Sequence, residues 1–191
     1  MADTDRPMRS DARRNRELLV AVARRHLRQH GVTTSLEAIA REAGVGPGTL
    51  YRHFPDRDCL VAEVLRVEND ELRAAGERIA RQVGVAERLD AWLGEVERHV
   101  ASYRGLSGPL VEALERGLPT PLGLACEEMT ATTARFLAES QEAGVARPEV
   151  TAHDLVGCAA MLAWLGSTGA QGTQQADGAR DILRHGYKVS G

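Results

Sequence analysis

The chain has 191 residues, 43% of them hydrophobic and 27% charged, with a formal net charge of −3. That length gives a proper core to one large or two small domains, and the lack of any apolar run of about 18 residues excludes a membrane span. The polar, Arg-rich N-terminus predicts no signal peptide. Three scattered cysteines, Cys59, Cys126 and Cys158, show no paired spacing, which is cytoplasmic usage and argues against a zinc site.

The mean charge conceals an asymmetry. Residues 1–54 carry ten arginines against six acids, a net of +4, while residues 55–191 carry fourteen basic groups against twenty-one acids, a net of −7. A basic first quarter on an acidic remainder fits a head that contacts DNA on a body that DNA repels.

Met1 to Asp11 is polar and is expected to be a flexible arm without DNA. Arg6, Arg9, Arg13, Arg14 and Arg16 make that arm basic, for phosphate or minor-groove contact, with Arg13 and Arg14 the favoured contacts. The alternative is a solvated tail. Helix 1 is predicted from about Ala12 to His30, burying Leu18, Leu19, Val22, Ala23 and Leu27 and stopping at Gly31. Thr34 and Glu37 then form a T-x-x-E capping box for a second helix with Leu36, Ile39, Ala40 and Ala43 on one face. Gly44 stops it, and Gly46 and Pro47 open a short third helix to about His53, whose Leu50 and Phe54 turn back toward Ile39 and Ala40.

Two short helices about a tight glycine turn make a helix-turn-helix, here about residues 35–54. An ordinary αα-hairpin has the same outline. Thr49, Tyr51, Arg52, His53 and Arg57 distinguish the two, because all face away from the apolar seam as donors and no carboxylate occurs from Val45 to Pro55.

The run SLEAIAREAGVGPGTLYRHFPDRDCL, with G-T-L-Y-x-H-F at Gly48 to Phe54 as its most specific part, resembles the DNA-binding domain of the tetracycline-repressor (TetR) family over roughly Arg13 to Val64. The resemblance implies phosphate contacts at Ser35, Tyr51, His53 and Arg57, and groove-facing positions at Gly46, Pro47, Thr49 and Arg52. Arg52 suits bidentate contact with a guanine, and Thr49 a thymine methyl or a phosphate. Few side-chain donors face the groove, so DNA shape is expected to supply part of the specificity.

Asp56 caps a long fourth helix, about 56–81, with Leu60, Val61, Val64, Leu65, Leu72 and Ala75 as its stripe. It links a head at 1–55 to a body at 56–191. Further helices are predicted from about Ala86 to Tyr103, up to Glu115, from Leu122 to Ala143 after breaks at Pro119 and Pro121, and from Ala152 to Leu165 behind a T-x-x-D start at Thr151. The Ala152 helix is apolar on nearly every side and must be covered all round. A Gly/Ser/Gln-rich loop at 166–175 precedes a final helix from about Ala176 to Lys188. The last two helices, about 152–165 and 176–188, are therefore expected to form a homodimer bundle, as members of the resembled family commonly do. Trp92, His99, Tyr103, Met129, Phe136, Met161 and Trp164 are candidates for lining a small-molecule pocket in the body. Plain core packing is the alternative at each.

The sequence thus predicts an all-α protein with about nine helices. A three-helix helix-turn-helix DNA-binding domain precedes a larger helical ligand-binding and dimerisation domain. The expected partners are a near-palindromic operator duplex, a small-molecule effector and a second copy of the chain, with no cofactor and no metal. No nucleophile elbow, P-loop or metal-binding motif supports an enzyme. A helical protein–protein module without DNA activity remains the other class, and it leaves the basic face of Tyr51 to Arg57 unexplained.

Overall fold

The structure, a computed structural model, describes residues 5–116 and 120–189. Among them the chain forms nine helices and no strand. α1 (Asp5–His30) has Pro7 in its opening turn, where a preset φ favours the helix. With no breaker before Gly31 it starts at Asp5, not near Ala12, so residues 5–11 of the predicted flexible arm are helical. Residues 1–4 lie outside the described residues. Leu19, Val22, Ala23 and Leu27 are buried as expected, but Leu18 is 42% exposed and Val20 takes its place. At about 100° per residue Leu18 lies about 120° from the centre of the Leu19 and Ala23 face and Val20 only about 80°, which decides the matter.

α2 (Leu36–Glu42) is capped by Ser35, one residue later than predicted. The Ser35 hydroxyl accepts from the Ala38 amide at 3.1 Å. Thr34 stays outside the helix because Arg57 claims its carbonyl and that of Val32, at 2.5 and 2.6 Å. α3 (Pro47–His53) follows, with Leu50 and Phe54 buried against Ile39, Ala40 and Leu19. Asp56 caps α4 (Arg57–Gln82) by accepting from the Cys59 amide.

The body comprises α5 (Val85–Ala101), α6 (Ser107–Arg116), α7 (Pro121–Glu142), α8 (Ala152–Gly166) and α9 (Ala170–Tyr187). The predicted break at Pro119 lies outside the described residues, whereas Pro121 is the first residue of α7. The expected capping box of Thr151 and Asp154 is formed at α8. α9 begins six residues before Ala176, so the predicted long loop shrinks to 167–169. Gly172 permits this: a Cβ there would fall 2.2 Å from the Leu165 carbonyl.

Two buried clusters fill the molecule. One joins α1 to α3 with the first half of α4 and continues into Tyr103, Leu106, Leu122 and Ala125. The other centres on Trp92, Phe136, Leu155 and Val156. α4 belongs to both and packs chiefly on α7. No helix among the described residues is long and apolar enough to cross a membrane.

Candidate nucleic-acid interface and body chamber

α3 projects from the head because its only buried residue is Leu50, which leaves the other faces to solvent. Gly46, Pro47, Gly48, Tyr51 and Arg52 are exposed, and Thr49 and His53 are half-buried. Arg52 has no hydrogen-bond or ion-pair partner among the described residues, so its five donors are free for a ligand. Arg14 is likewise exposed and unpartnered, whereas Arg13 pairs with Glu17 one turn on, at 3.3 Å.

The expected phosphate contacts are arranged less simply. Ser35 and Tyr51 both donate to Glu37, at 2.9 and 3.0 Å. The bond to Glu37 raises the Tyr51 phenol above its ordinary pKa, and the backbone amide of Glu37 itself, then Ser35 and Tyr51, lower that carboxyl. A carboxylate thus enters the face from α2. It was read only as half of a cap, and the Tyr51 contact spans helices that sequence spacing does not register. Arg57 is half-buried and uses one guanidinium nitrogen to hold the carbonyls of Val32 and Thr34. His53 faces a cleft behind α3, beside Arg16 and Phe54, with Arg16 4.8 Å over the Phe54 ring.

Behind the head, Glu68 of α4 is 3% exposed and takes Arg28 at 2.6 Å and Arg24 as partners. Tyr103 is buried alongside, with Arg28 6.0 Å from its ring centroid, and burial first of all pushes its phenol up. This junction fastens α1 to α4. Glu68 was legible in principle, because it falls on the buried stripe between Leu65 and Leu72 at helical spacing.

The candidate pocket residues do not assemble into one site. His99 and Met129 meet at a chamber of about 10 Å³ within the body, with Leu65, Asn69, Leu110 and Cys126 among its other walls. Trp92 and Phe136 are core: their rings pack edge to face at 5.9 Å, and the Trp92 indole donates to Thr133 at 2.8 Å. Met161 and Trp164 point outward on α8, 57% and 58% exposed, because the opposite face of that helix already fills the core. Among the described residues no cluster of His, Cys, Asp or Glu is placed to hold a metal ion.

The model of bacterial regulatory proteins of the tetR family matches residues 19–64, and that of the C-terminal domain of SbtR-like transcriptional regulators matches residues 85–189. An HTH-type transcriptional regulator of Staphylococcus aureus is 41% identical over 64 residues, 33% of this chain and 35% of that protein. The likeness to such curated relatives thus spans about a third of their length. A TetR transcriptional regulator of Streptomyces coelicolor is 28% identical over 92% of this chain and 99% of its own, with a TM-score of 0.58. RolR, solved with its ligand resorcinol, shares the fold at a TM-score of 0.65 and 20% identity over 91% of this chain and 94% of its own.

Proposed function

The chain belongs to the TetR family of bacterial regulatory proteins, and on that premise we propose that it is a sequence-specific, DNA-binding transcriptional repressor released by a small molecule. The observation that carries the reading is the α3 face, where Arg52, without a partner among the described residues, stands with Tyr51 and Thr49 beside a backbone left bare by Gly46 and Gly48. Such a face fits the major groove, with Arg52 reading a guanine edge. Ser35, Tyr51, His53 and Arg57, with Arg13 and Arg14 of α1, are assigned to the phosphate backbone, where donors fix position without reading sequence. Tyr51 and Ser35 must exchange Glu37 for phosphate to do so.

Met161 and Trp164 on α8 and Ile182 on α9, the last 76% exposed, support a homodimer through these two helices. A dimer would present two heads about one DNA turn apart to a near-palindromic operator. The small molecule would enlarge the body chamber, shift α4 and change that spacing, to the extent that it binds the two states with different affinity. The protein would act in the cytoplasm as a regulator, without catalysis.

The test is binding of the purified protein to duplexes from a random-sequence pool at near-physiological salt, with sequencing of the retained fraction. A two-fold symmetric motif is the expected result. No enrichment over input would overturn the reading in favour of a protein–protein module. Arg52→Ala is expected to lose about 1–3 kcal/mol at particular base pairs; uniform weakening on all sequences would make Arg52 a phosphate contact instead.

A further inference from the structure

The body chamber and the cleft between head and body share a wall that is one residue pair thick. Asn69 and Ala125 line both spaces, and the Asn69 amide donates to the Ala125 carbonyl at 2.7 Å. The outer space is an open cleft of about 580 Å³, bounded on the far side by His53 to Pro55 at the end of the recognition helix. Leu124, 53% exposed, gives it an apolar floor. The inner space measures only about 10 Å³, whereas a dry cavity that takes benzene measures on the order of 150 Å³. Any effector must therefore part helices to enter, and one hydrogen bond between α4 and α7 closes the shared wall.

We propose, resting on the regulator reading above, that the effector is a small, neutral, largely apolar molecule that enters the chamber from this cleft by parting Asn69 from Ala125. The chamber walls fix its chemistry. They are aliphatic apart from Asn69, His99, Cys126 and the Met129 thioether, with no carboxylate, lysine or arginine among them. Burial lowers the basicity of His99, which keeps the imidazole neutral. A charged guest would lose its hydration and find no counter-ion, a penalty of several kcal/mol per ion. The route also acts on the right helix: Glu68, the neighbour of Asn69, holds Arg24 and Arg28 of α1. Parting α4 from α7 at Asn69 thus moves the anchor of the head.

The chain carries its own probes, since Cys126 lines the chamber, Cys59 the cleft and Cys158 lies half-buried on α8. Labelling rates at each are followed by mass spectrometry with a neutral alkyl methanethiosulfonate and with trimethylammonium and sulfonate reagents of the same length. The neutral reagent is expected to outpace both charged ones by roughly a hundredfold at Cys126, with far less discrimination at Cys59 and Cys158. Asn69→Ala should speed neutral labelling of Cys126 about tenfold, the factor that one hydrogen bond commands, while leaving Cys158 within about twofold.

Wild-type Cys126 labelling should also depend weakly on low urea, as local opening exposes little surface. Charge-blind labelling of Cys126 with the full urea dependence of global unfolding would overturn the proposal, as would an Asn69→Ala variant without effect. Neither readout involves DNA or an effector. A gated chamber in a protein that selects no DNA motif would sink the regulator reading alone, and a charge-blind chamber in a sequence-specific dimer would sink the route alone.

Discussion

At the scale of residues, two ionisable groups at the chamber behave differently, the buried Glu68 beside its wall and the half-buried His99 in its lining. Glu68 is almost fully buried, yet its partners Arg24 and Arg28 are 37% and 44% exposed. The cluster therefore spans the boundary between water and core, with guanidinium nitrogens of two half-exposed arginines reaching in to the buried carboxylate. His99 has no such partner among the described residues. Burial is the largest influence on it and lowers its pKa below 6.5; Glu68 and Glu71 act in the opposite direction, and Arg28 adds to the lowering. The unfolded chain thus takes up a proton near pH 6.5 that the folded chain refuses. Stability is unaffected above that pH and falls as pH drops below it, by at most about 1.4 kcal/mol per unit, until the folded imidazole itself protonates. His99→Gln should remove this slope. Urea midpoints of wild type and variant are expected to run parallel from pH 8 to 7 and to diverge between about pH 6.5 and 5, with the variant losing less. Parallel curves throughout would show that His99 is solvated.

At the scale of elements, glycines that play one role in sequence play different roles in space. Gly31 and Gly44 both end helices with positive φ, +81° and +69°, and both are readable as stops. A Cβ at Gly44 meets nothing within 4 Å, but at Gly31 it would lie 2.7 Å from the Arg104 carbonyl, the same oxygen that accepts from the Val32 amide at 2.9 Å. Gly44→Ala should therefore cost only the left-handed backbone term, about 1 kcal/mol. Gly31→Ala adds a clash with main chain and is expected to cost about 2–3 kcal/mol, read as a difference in urea midpoints at constant slope. Equal losses would mean that the α5–α6 loop yields freely.

The same contrast shows what the sequence made legible. Helix stops, the Asp56 cap, the Thr151 box and the stripe of α4 are local patterns, and they fold as written. The Ser35 cap, the Glu37 bridge and the shared wall at Asn69 depend on groups from distant helices, Arg57, Tyr51 and Ala125, and spacing along the chain carries no trace of them. The candidate pocket residues are dispersed for a related reason. An aromatic or methionine on a helix states its size, while the direction it faces is settled only once all neighbouring helices are packed, as with Trp92 turned to the core and Trp164 to solvent.

At the scale of the whole molecule, the outward face of α8 is the largest departure from what one chain needs. Its helix is apolar on nearly every side, and the interior covers only one of them, leaving Trp164 and Met161 more than half exposed. Water is a poor neighbour for such a face, and in the proposed dimer a second copy would supply the missing layer by two-fold symmetry, where each patch meets itself. Trp164→Glu tests this without endangering the fold, because the side chain is already largely solvated in a single chain. An interface tryptophan commonly carries about 2 kcal/mol or more of binding energy, so the substitution should weaken dimerisation by at least about thirtyfold while leaving the urea midpoint measured on monomer nearly unchanged. Sedimentation velocity over a concentration series reads the first quantity. Affinity for a two-half-site duplex should fall with it, and affinity for an isolated half-site should hold, since the α3 face remains intact. A Trp164→Glu protein that stays dimeric at every concentration would place the interface on other helices, and the spacing of the two heads would then have to be set from there.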